Sequence, residues 1–364
     1  MVRRLFLVGV CAVCLSILPG TRERDVQAQG GALEVVVGGL DNPRGLAFGP
    51  EGALYVAQAG RGGDGTCVIN GAGEEVCFGL TGKISRIWRG ELDDVITGLP
   101  SLAAEGGNGA SGPVDVTFQG RGNGFVVIGS SGPPDNRDLL GEDGALMGHV
   151  VRFTPNGRME PIADIVHLEE TINPHTTALD SNPYALAAGP HGIGVVDAGG
   201  NAAYEISASR RASLLAVFPD RIVTLPSGVM APMQAVPNAI TVGPDGAYYI
   251  GQLTGVPFPV GAARVYRVVP GEAPTIYAEG FTNIIDLAFG PDGSLYVLEF
   301  DANGIPTPPP ASAITRIRPS GSRTTLPTPG LLLATGLAVD ADGTLYVSAF
   351  GVVAGGGQVV RIPQ

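Results

Sequence analysis

The sequence is poor in basic residues, in long apolar runs and in helical periodicity, and each shortage argues against a class of protein. Lys and Arg total 22 against 34 Asp and Glu, so the formal net charge of the 364-residue chain is −12. Such a chain repels phosphate backbones, which argues against nucleic acid as a partner. Apolar residues rarely recur three or four positions apart, and 56 glycines instead punctuate short apolar runs. This pattern favours an all-β fold with many tight turns.

The first 28 residues are typical of a signal peptide. Arg3 and Arg4 precede an apolar stretch over residues 5–18, and small residues allow cleavage after Ala28. The stretch is short for a membrane span, so an uncleaved anchor is the less favoured alternative. A lipoprotein is also less favoured, because Cys14 lacks the usual small residues before it. We therefore expect residues 29–364 to form one exported domain, periplasmic or extracellular, without a membrane span.

Only two cysteines, Cys67 and Cys77, follow this leader. An even number of cysteines in an exported chain predicts a disulfide. Two free thiols or a metal-binding pair are the alternatives. The metal pair is the weaker of these, because no second pair of Cys or His residues lies nearby in the sequence.

One segment recurs six times along the chain. Its clearest form is PRGLAFGPEGALYV, an apolar run, a glycine-containing turn and a second apolar run. Repeats of this length are typical of propellers and solenoids. The six copies begin at Pro43, Pro113, Pro183, Pro237, Ile284 and Ala334.

Each copy, with the residues that follow it, predicts four strands, A to D. The sixth unit ends before a strand D, whereas residues 33–40 have the strand-D pattern and precede the first strand A. A closed ring accounts for both facts, because pairing the two ends removes the exposed sheet edges. The prediction is therefore a six-bladed β-propeller of four-stranded blades, whose last blade is completed by the N-terminal strand. In an open solenoid or a pair of sandwiches, an extra strand at the start of the chain would not have to make up for a strand missing from the last unit.

Loop lengths distinguish the two faces of the propeller. The A–B and C–D connections are short turns, and we call their side the turn face. The B–C and D–A connections hold nearly all the inserted length, including residues 59–82, 130–147 and 219–236. We call their side the loop face, and long loops on a rigid scaffold are where function usually lies.

Polar residues at the ends of strands A and B are expected to surround the central channel at the loop face. The predicted ligand-binding residues are Arg44, Asp115, Tyr184, Asp197, Gln252 and Glu299. Oxygen donors from several blades also favour a hard cation such as Ca²⁺, and the cofactor is otherwise unknown. The predicted metal ligands are Asn182, Asn238 and Asp286.

Catalytic motifs are scarce. There is no GxSxG nucleophile elbow and no cofactor motif. His167 and His175 share an insertion with Glu169 and Glu170, predicted as a short surface helix, but they lack the i, i+4 spacing of a helical zinc site. Two hypotheses remain: a non-catalytic propeller that binds a small molecule or a protein partner, and a Ca²⁺-dependent lactone or ester hydrolase.

Long segments of the chain resemble the ScyD/ScyE family of exported propeller-like proteins. The resemblance rests on NPRGLAFGPEGALYVAQAGRGGDG from Asn42 and FTNIIDLAFGPDGSLYVLEFDANG from Phe281, among other stretches. It implies export and a propeller, and it brings no catalytic residues with it.

More distantly, the unit resembles the NHL repeat and six-bladed gluconolactonase-like proteins. In the latter group, Asn or Asp directly after the strand-A proline helps to hold a channel cation. We call this the mouth position, and of its six residues here only Asn238 matches. The mouth positions are Arg44, Val114, Tyr184, Asn238, Ile285 and Thr335.

Overall fold

Alternating apolar strands and glycine turns fold into six four-stranded antiparallel blades, as the repeat predicts. The computed structural model describes residues 33–363 except for 121, 131, 176–178, 226 and 306–309. The predicted signal peptide lies outside these residues. Of the helices described, none is long and apolar enough to cross a membrane.

The strands follow in chain order. Strand β1 (Glu34–Leu40) precedes blade 1 in the chain. The sheet of blade 1 contains β2 (Pro43–Phe48), β3 (Leu54–Gln58), the short inserted strand β4 (Cys67–Ile69), β5 (Glu75–Trp88) and β6 (Glu91–Ala103). Blade 2 contains β7 (Pro113–Gln119), β8 (Asn123–Ile128), β9 (His149–Phe153) and β10 (Met159–Asp164). Blade 3 contains β11 (Pro183–Ala188), β12 (Gly192–Asp197), β13 (Ala202–Ser207) and β14 (Ala212–Val217).

A two-stranded hairpin, β15 (Arg221–Thr224) and β16 (Met230–Met233), separates blades 3 and 4. Blade 4 contains β17 (Pro237–Val242), β18 (Tyr248–Gln252), β19 (Ala263–Val268) and β20 (Thr275–Phe281). Blade 5 contains β21 (Ile284–Phe289), β22 (Leu295–Glu299), β23 (Ala313–Ile317) and β24 (Arg323–Thr325). Blade 6 contains β25 (Gly336–Val339), β26 (Leu345–Ala349) and β27 (Gly357–Ile362).

The described helices are short and lie in the connections on either side of β9 and β10. They are α1 (Asp135–Leu139), a 3₁₀ turn (Glu142–Gly144) and α2 (Ile165–Ile172).

The N-terminal strand closes the ring, which confirms the prediction. Strand β1 pairs antiparallel with β27 as the outermost strand of blade 6, with Val35 opposite Val360 and Val37 opposite Val359. The six innermost strands each contact their neighbours, and β25 of blade 6 returns to β2 of blade 1. Six buried hydrophobic clusters fill the spaces between adjacent blades, one cluster for each pair of neighbours.

The disulfide is confirmed. Cys67 and Cys77 face each other across the hairpin of β4 and β5, and their sulfurs are bonded. Strand β4 lies between the second and third strands of blade 1, and the bond joins it to the N-terminal end of the long strand β5, which also pairs with β3 and β6.

The B–C and D–A connections meet on one face, as loop length indicated. The side-chain amide of Asn42, just before β2, donates to the carbonyls of Gly60 and Gly107 at 2.7 and 2.8 Å and accepts from the N–H of Gly109 at 2.9 Å. The backbone N–H of Asn42 donates to the carbonyl of Val353, in the B–C connection of blade 6. One asparagine thus ties together loops from both ends of the chain.

The residue before strand A recurs in a left-handed conformation. Asn42 and Asn283 have φ of 48° and 50°, and Val236 occupies the same position with φ of 48°. Asparagine tolerates this region, whereas a β-branched side chain is strained in it. Replacing Val236 by Asn should therefore raise the free energy of unfolding by about 1 kcal/mol, seen as a higher urea midpoint with an unchanged slope.

Val229→Asn is the matched control for this substitution, because Val229 is exposed and does not have a positive φ. It should leave the midpoint unchanged. A lower midpoint for Val236→Asn would mean that the apolar contacts of the valine outweigh its backbone strain.

Candidate functional site

A cavity of about 230 Å³ lies on the propeller axis, enclosed by the six innermost strands. We number the residues of each innermost strand from the first residue of its repeat copy, which is Pro43 in blade 1. The lining residues then occupy positions three to six of each strand. The mouth positions, second in this count, are not part of the lining. The cavity therefore begins just below the mouth residues and extends toward the turn face.

Asp115 and Asp286 are the only carboxyl-bearing residues in the part of this lining that the structure describes. Each accepts a backbone N–H from the next blade: Asp115 from Leu186 at 2.9 Å and Asp286 from Leu337 at 2.6 Å. Burial raises the pKa of Asp286 to about 7, and burial together with the charge of Asp286 raises the pKa of Asp115. These carboxyl groups join neighbouring inner strands, blade 2 to blade 3 and blade 5 to blade 6.

Two of the predicted residues at the end of strand B accept backbone hydrogen bonds from the D–A connection that precedes their blade. Asp197 accepts the N–H of Asn182 at 2.7 Å, and Glu299 accepts the N–H of Thr282 at 2.6 Å. Burial raises the pKa of Asp197 to about 6 and that of Glu299 to about 7. Gln252 is also buried. These side chains are committed to backbone or neighbouring groups, which explains why polar residues recur there.

The three predicted metal ligands are not gathered in one cavity. Asp286 lines the axial cavity, whereas Asn182 and Asn238 do not. Within the described residues, no three His, Cys, Asp or Glu side chains are grouped to hold a metal ion. The cation site stays a prediction, and we derive no step of function through a cation.

Arg44 is the most unusual residue at the channel mouth. Its side chain is only 7% exposed, and Nη2 donates to the carbonyl of Ala110 at 2.8 Å. Nη1 approaches the hydroxyl of Tyr184 at 3.4 Å, and Nε has no partner. No carboxylate among the described residues lies within ion-pairing distance. A buried guanidinium without a counter-charge is costly, because burial removes water that would otherwise solvate it.

Tyr184 crosses the mouth from blade 3. Its ring packs against the buried cluster between blades 3 and 4 and also against the cluster between blades 5 and 6. Its hydroxyl meets Arg44 from blade 1. The structure therefore brings together two of the predicted ligand-binding residues, Arg44 and Tyr184. It places Asp197, Gln252 and Glu299 at strand ends.

Sequence reasoning missed a buried acidic group beside blade 3. The α2 helix is present, but Glu169 on it is only 1% exposed, which corrects the expectation that it lies on a surface helix. Tyr204 donates to its carboxylate at 3.3 Å. Burial, with the charge of Asp197 next, raises the pKa of Glu169 to about 7. The signal was available in the sequence, since Glu169 follows the fully buried Ile165 by four residues and shares its helix face.

No protein-family model matches the chain, and no curated protein matches it significantly. Solved structures do resemble it. A Thermus thermophilus protein described as an oxidoreductase (glucose dehydrogenase) is 19% identical, with a TM-score of 0.56 over 92% of this chain and 100% of that one.

The PQQ-bound aldose sugar dehydrogenase of Streptomyces coelicolor is 12% identical, with a TM-score of 0.54 over 91% and 97% of the two chains. A protein described as a gluconolactonase is 12% identical, with a TM-score of 0.53 over 92% and 93%. At these identities the likeness shows the fold alone: a six-bladed propeller shared with gluconolactonase-like and sugar-dehydrogenase-like proteins.

Proposed function

We propose that this protein is an exported propeller of the ScyD/ScyE type that binds a small molecule at the channel mouth on its loop face, with no defined catalytic activity. The observation that carries the proposal is the buried guanidinium of Arg44, which has no carboxylate within ion-pairing distance among the described residues. A protein that leaves a charge in this state gains stability when a ligand supplies the missing partner. The disulfide on the same face is in keeping with export.

Two further features support a binding role. Ligand sites in propellers and barrels lie at channel mouths, where loops from several blades converge. Here loops from blades 1 and 6 are tied together at Asn42, which gives the mouth a fixed frame. A pre-organised frame limits the entropy that a ligand loses on binding.

The test compares the loop face with the turn face. Small molecules of differing charge are screened by thermal melting on the purified protein, on Arg44→Met and on Arg158→Met. Arg158 is exposed in the turn between β9 and β10, on the turn face. We expect at least one compound to raise the melting midpoint of the wild type and of Arg158→Met, but not of Arg44→Met. Compounds that stabilise all three proteins equally would contradict the proposal.

A second candidate is a Ca²⁺-dependent lactone or ester hydrolase of the gluconolactonase-like type. The observation that favours it is the presence of Asp115 and Asp286 in one axial cavity, because paired carboxylates attract hard cations. Metal analysis of purified protein, with melting in the presence and absence of a chelator, separates the candidates. Protein without bound metal and with an unchanged melt would exclude the hydrolase.

A further inference from the structure

We infer that the small molecule bound at the mouth is a monocarboxylate with an apolar body, an assignment that rests on the function proposed above. Three hydrogen-bond donors, from blades 1, 3 and 4, occupy mouth positions without an acceptor in the described protein. They are Arg44 Nε, the Tyr184 hydroxyl and Asn238 Nδ2. The assignment follows from their chemistry, from the charge around them and from their apolar neighbours.

Arg44 supplies the charge. Nη2 donates to the carbonyl of Ala110, and the Nε–H remains as a charged donor that a carboxylate oxygen of a ligand would satisfy. Two other arginines also leave Nε without a partner, but they are neutralised or held in other ways. Arg86 pairs with a carboxylate, that of Asp93, at 3.1 Å. Arg221, at the start of β15 rather than at a mouth position, donates to the side chain of Gln252 and to the carbonyl of Ala262.

Asn238 and Tyr184 supply the remaining donors from adjacent blades. Asn238 is 2% exposed, and its buried Nδ2 has no hydrogen-bond partner. Within the described residues, the hydroxyl of Tyr184 accepts from Arg44 and donates to no protein group. By contrast, the hydroxyl of Thr335, at the same position in blade 6, donates to the carbonyl of Pro43 at 2.6 Å. Buried donors without acceptors, here Arg44 Nε and Asn238 Nδ2, are rare, and a ligand oxygen would satisfy them.

The surrounding charge favours a single negative charge on the ligand. Arg44 is the only Lys, Arg or His among the six mouth positions. Below it, Asp115 and Asp286 line the cavity, and the chain as a whole is acidic. One guanidinium balances one carboxylate, whereas a phosphate dianion would bring an unbalanced charge toward these carboxyl groups.

Apolar side chains around Tyr184 favour an apolar body. Ile285 occupies the mouth position of blade 5 and belongs to the buried cluster that Tyr184 contacts. Leu253 and Phe350 are only partly buried and pack against the same cluster. A carboxylate held by the donors would therefore direct the rest of its molecule toward aliphatic and aromatic surface.

The test uses benzoate, benzamide and inorganic phosphate as probes, with titration calorimetry and thermal melting of the purified protein. Benzoate should bind saturably and raise the melting midpoint. Benzamide, which has the same shape without the charge, and phosphate should bind at least about tenfold more weakly, since one charge-assisted hydrogen bond accounts for that factor. Arg44→Gln should weaken benzoate binding by about tenfold or more, and Tyr184→Phe and Asn238→Ala should each weaken it several-fold.

Two readouts separate binding from a structural role. Arg158→Gln should bind benzoate like the wild type. Without benzoate, Arg44→Gln should unfold at an equal or higher urea concentration, because it removes an uncompensated buried charge. Tyr184→Phe keeps the test informative should Arg44→Gln not fold.

Equal binding of benzoate and benzamide, or benzoate binding that survives all three mouth substitutions, would overturn the carboxylate assignment. A neutral compound that binds in an Arg44-dependent manner would overturn it while leaving the proposed function intact. If no compound depends on Arg44, the proposed function fails as well.

Discussion

The free energy of unfolding should fall by at least about 3 kcal/mol between pH 5 and pH 8, measured by urea denaturation at a series of pH values. Burial raises the pKa of Glu169, Asp286 and Glu299 to about 7 and that of Asp197 to about 6. In the unfolded chain these groups lose their protons near pH 4. The folded state therefore holds more protons over this interval, so stability is greatest near pH 5, declines as pH rises through 7 and then levels off.

One group acts in the opposite direction. Burial lowers the pKa of His149, so its contribution to stability increases with pH below neutrality. The lowered pKa of Asp164 and that of Asp292, which is about 2, affect stability only in more acidic solution. Four buried carboxyl groups outweigh one histidine between pH 5 and pH 8. A stability that is constant or rising over that range would contradict the structure.

Glu169→Gln isolates the contribution of one of these carboxyl groups. Glutamine has nearly the same shape and still accepts the hydrogen bond of Tyr204, but it cannot ionise. The decline in stability from pH 5 to pH 8 should shrink by about 2 kcal/mol. The matched control is Glu170→Gln, the next residue on α2, which pairs with His167 at the surface and should leave the decline unchanged.

Leu40→Ala should lower the free energy of unfolding by about 3 kcal/mol, which denaturant unfolding would measure. Leu40 is 1% exposed at the end of β1, and its side chain belongs to the cluster between blades 6 and 1. Among the strands that the structure describes, β1 pairs only with β27, so this side chain anchors the strand that closes the ring. Loosening it also exposes the edge of β27, and we expect faster aggregation above the unfolding midpoint.

The control for this substitution lies on the same strand. Val35 is 55% exposed, so Val35→Ala removes little buried surface and should change stability by less than about 0.5 kcal/mol. Equal effects of the two substitutions would mean that Leu40 does not hold the ring closed.

The sixfold repeat is the reason that the fold could be predicted from the sequence. Each copy carries the same alternation of apolar residues and glycine turn, so local chemistry repeated six times indicates the same strands each time. The extra strand predicted at residues 33–40 follows from counting strands, because the sixth unit has no strand D of its own. Cys67 and Cys77 were paired by their number and their compartment, and the hairpin of β4 and β5 places them opposite each other.

The site was less accessible, because a side chain's partners in a propeller come from other blades. Asp197 and Glu299 were predicted to face a ligand, yet both accept backbone N–H groups some 15 or 17 residues earlier in the chain. Arg44 and Tyr184 are 140 residues apart in the sequence, so no local spacing of residues predicts their contact.

The sequence by itself determined six blades, the strand that closes them, the disulfide and the face that carries the long loops. These properties depend on short-range patterns of apolar residues, turns and loop length. Only the tertiary structure decided which polar side chains are satisfied and which are left without a partner. Hydrogen bonding and desolvation at the channel mouth depend on atoms that the ring brings together from distant blades.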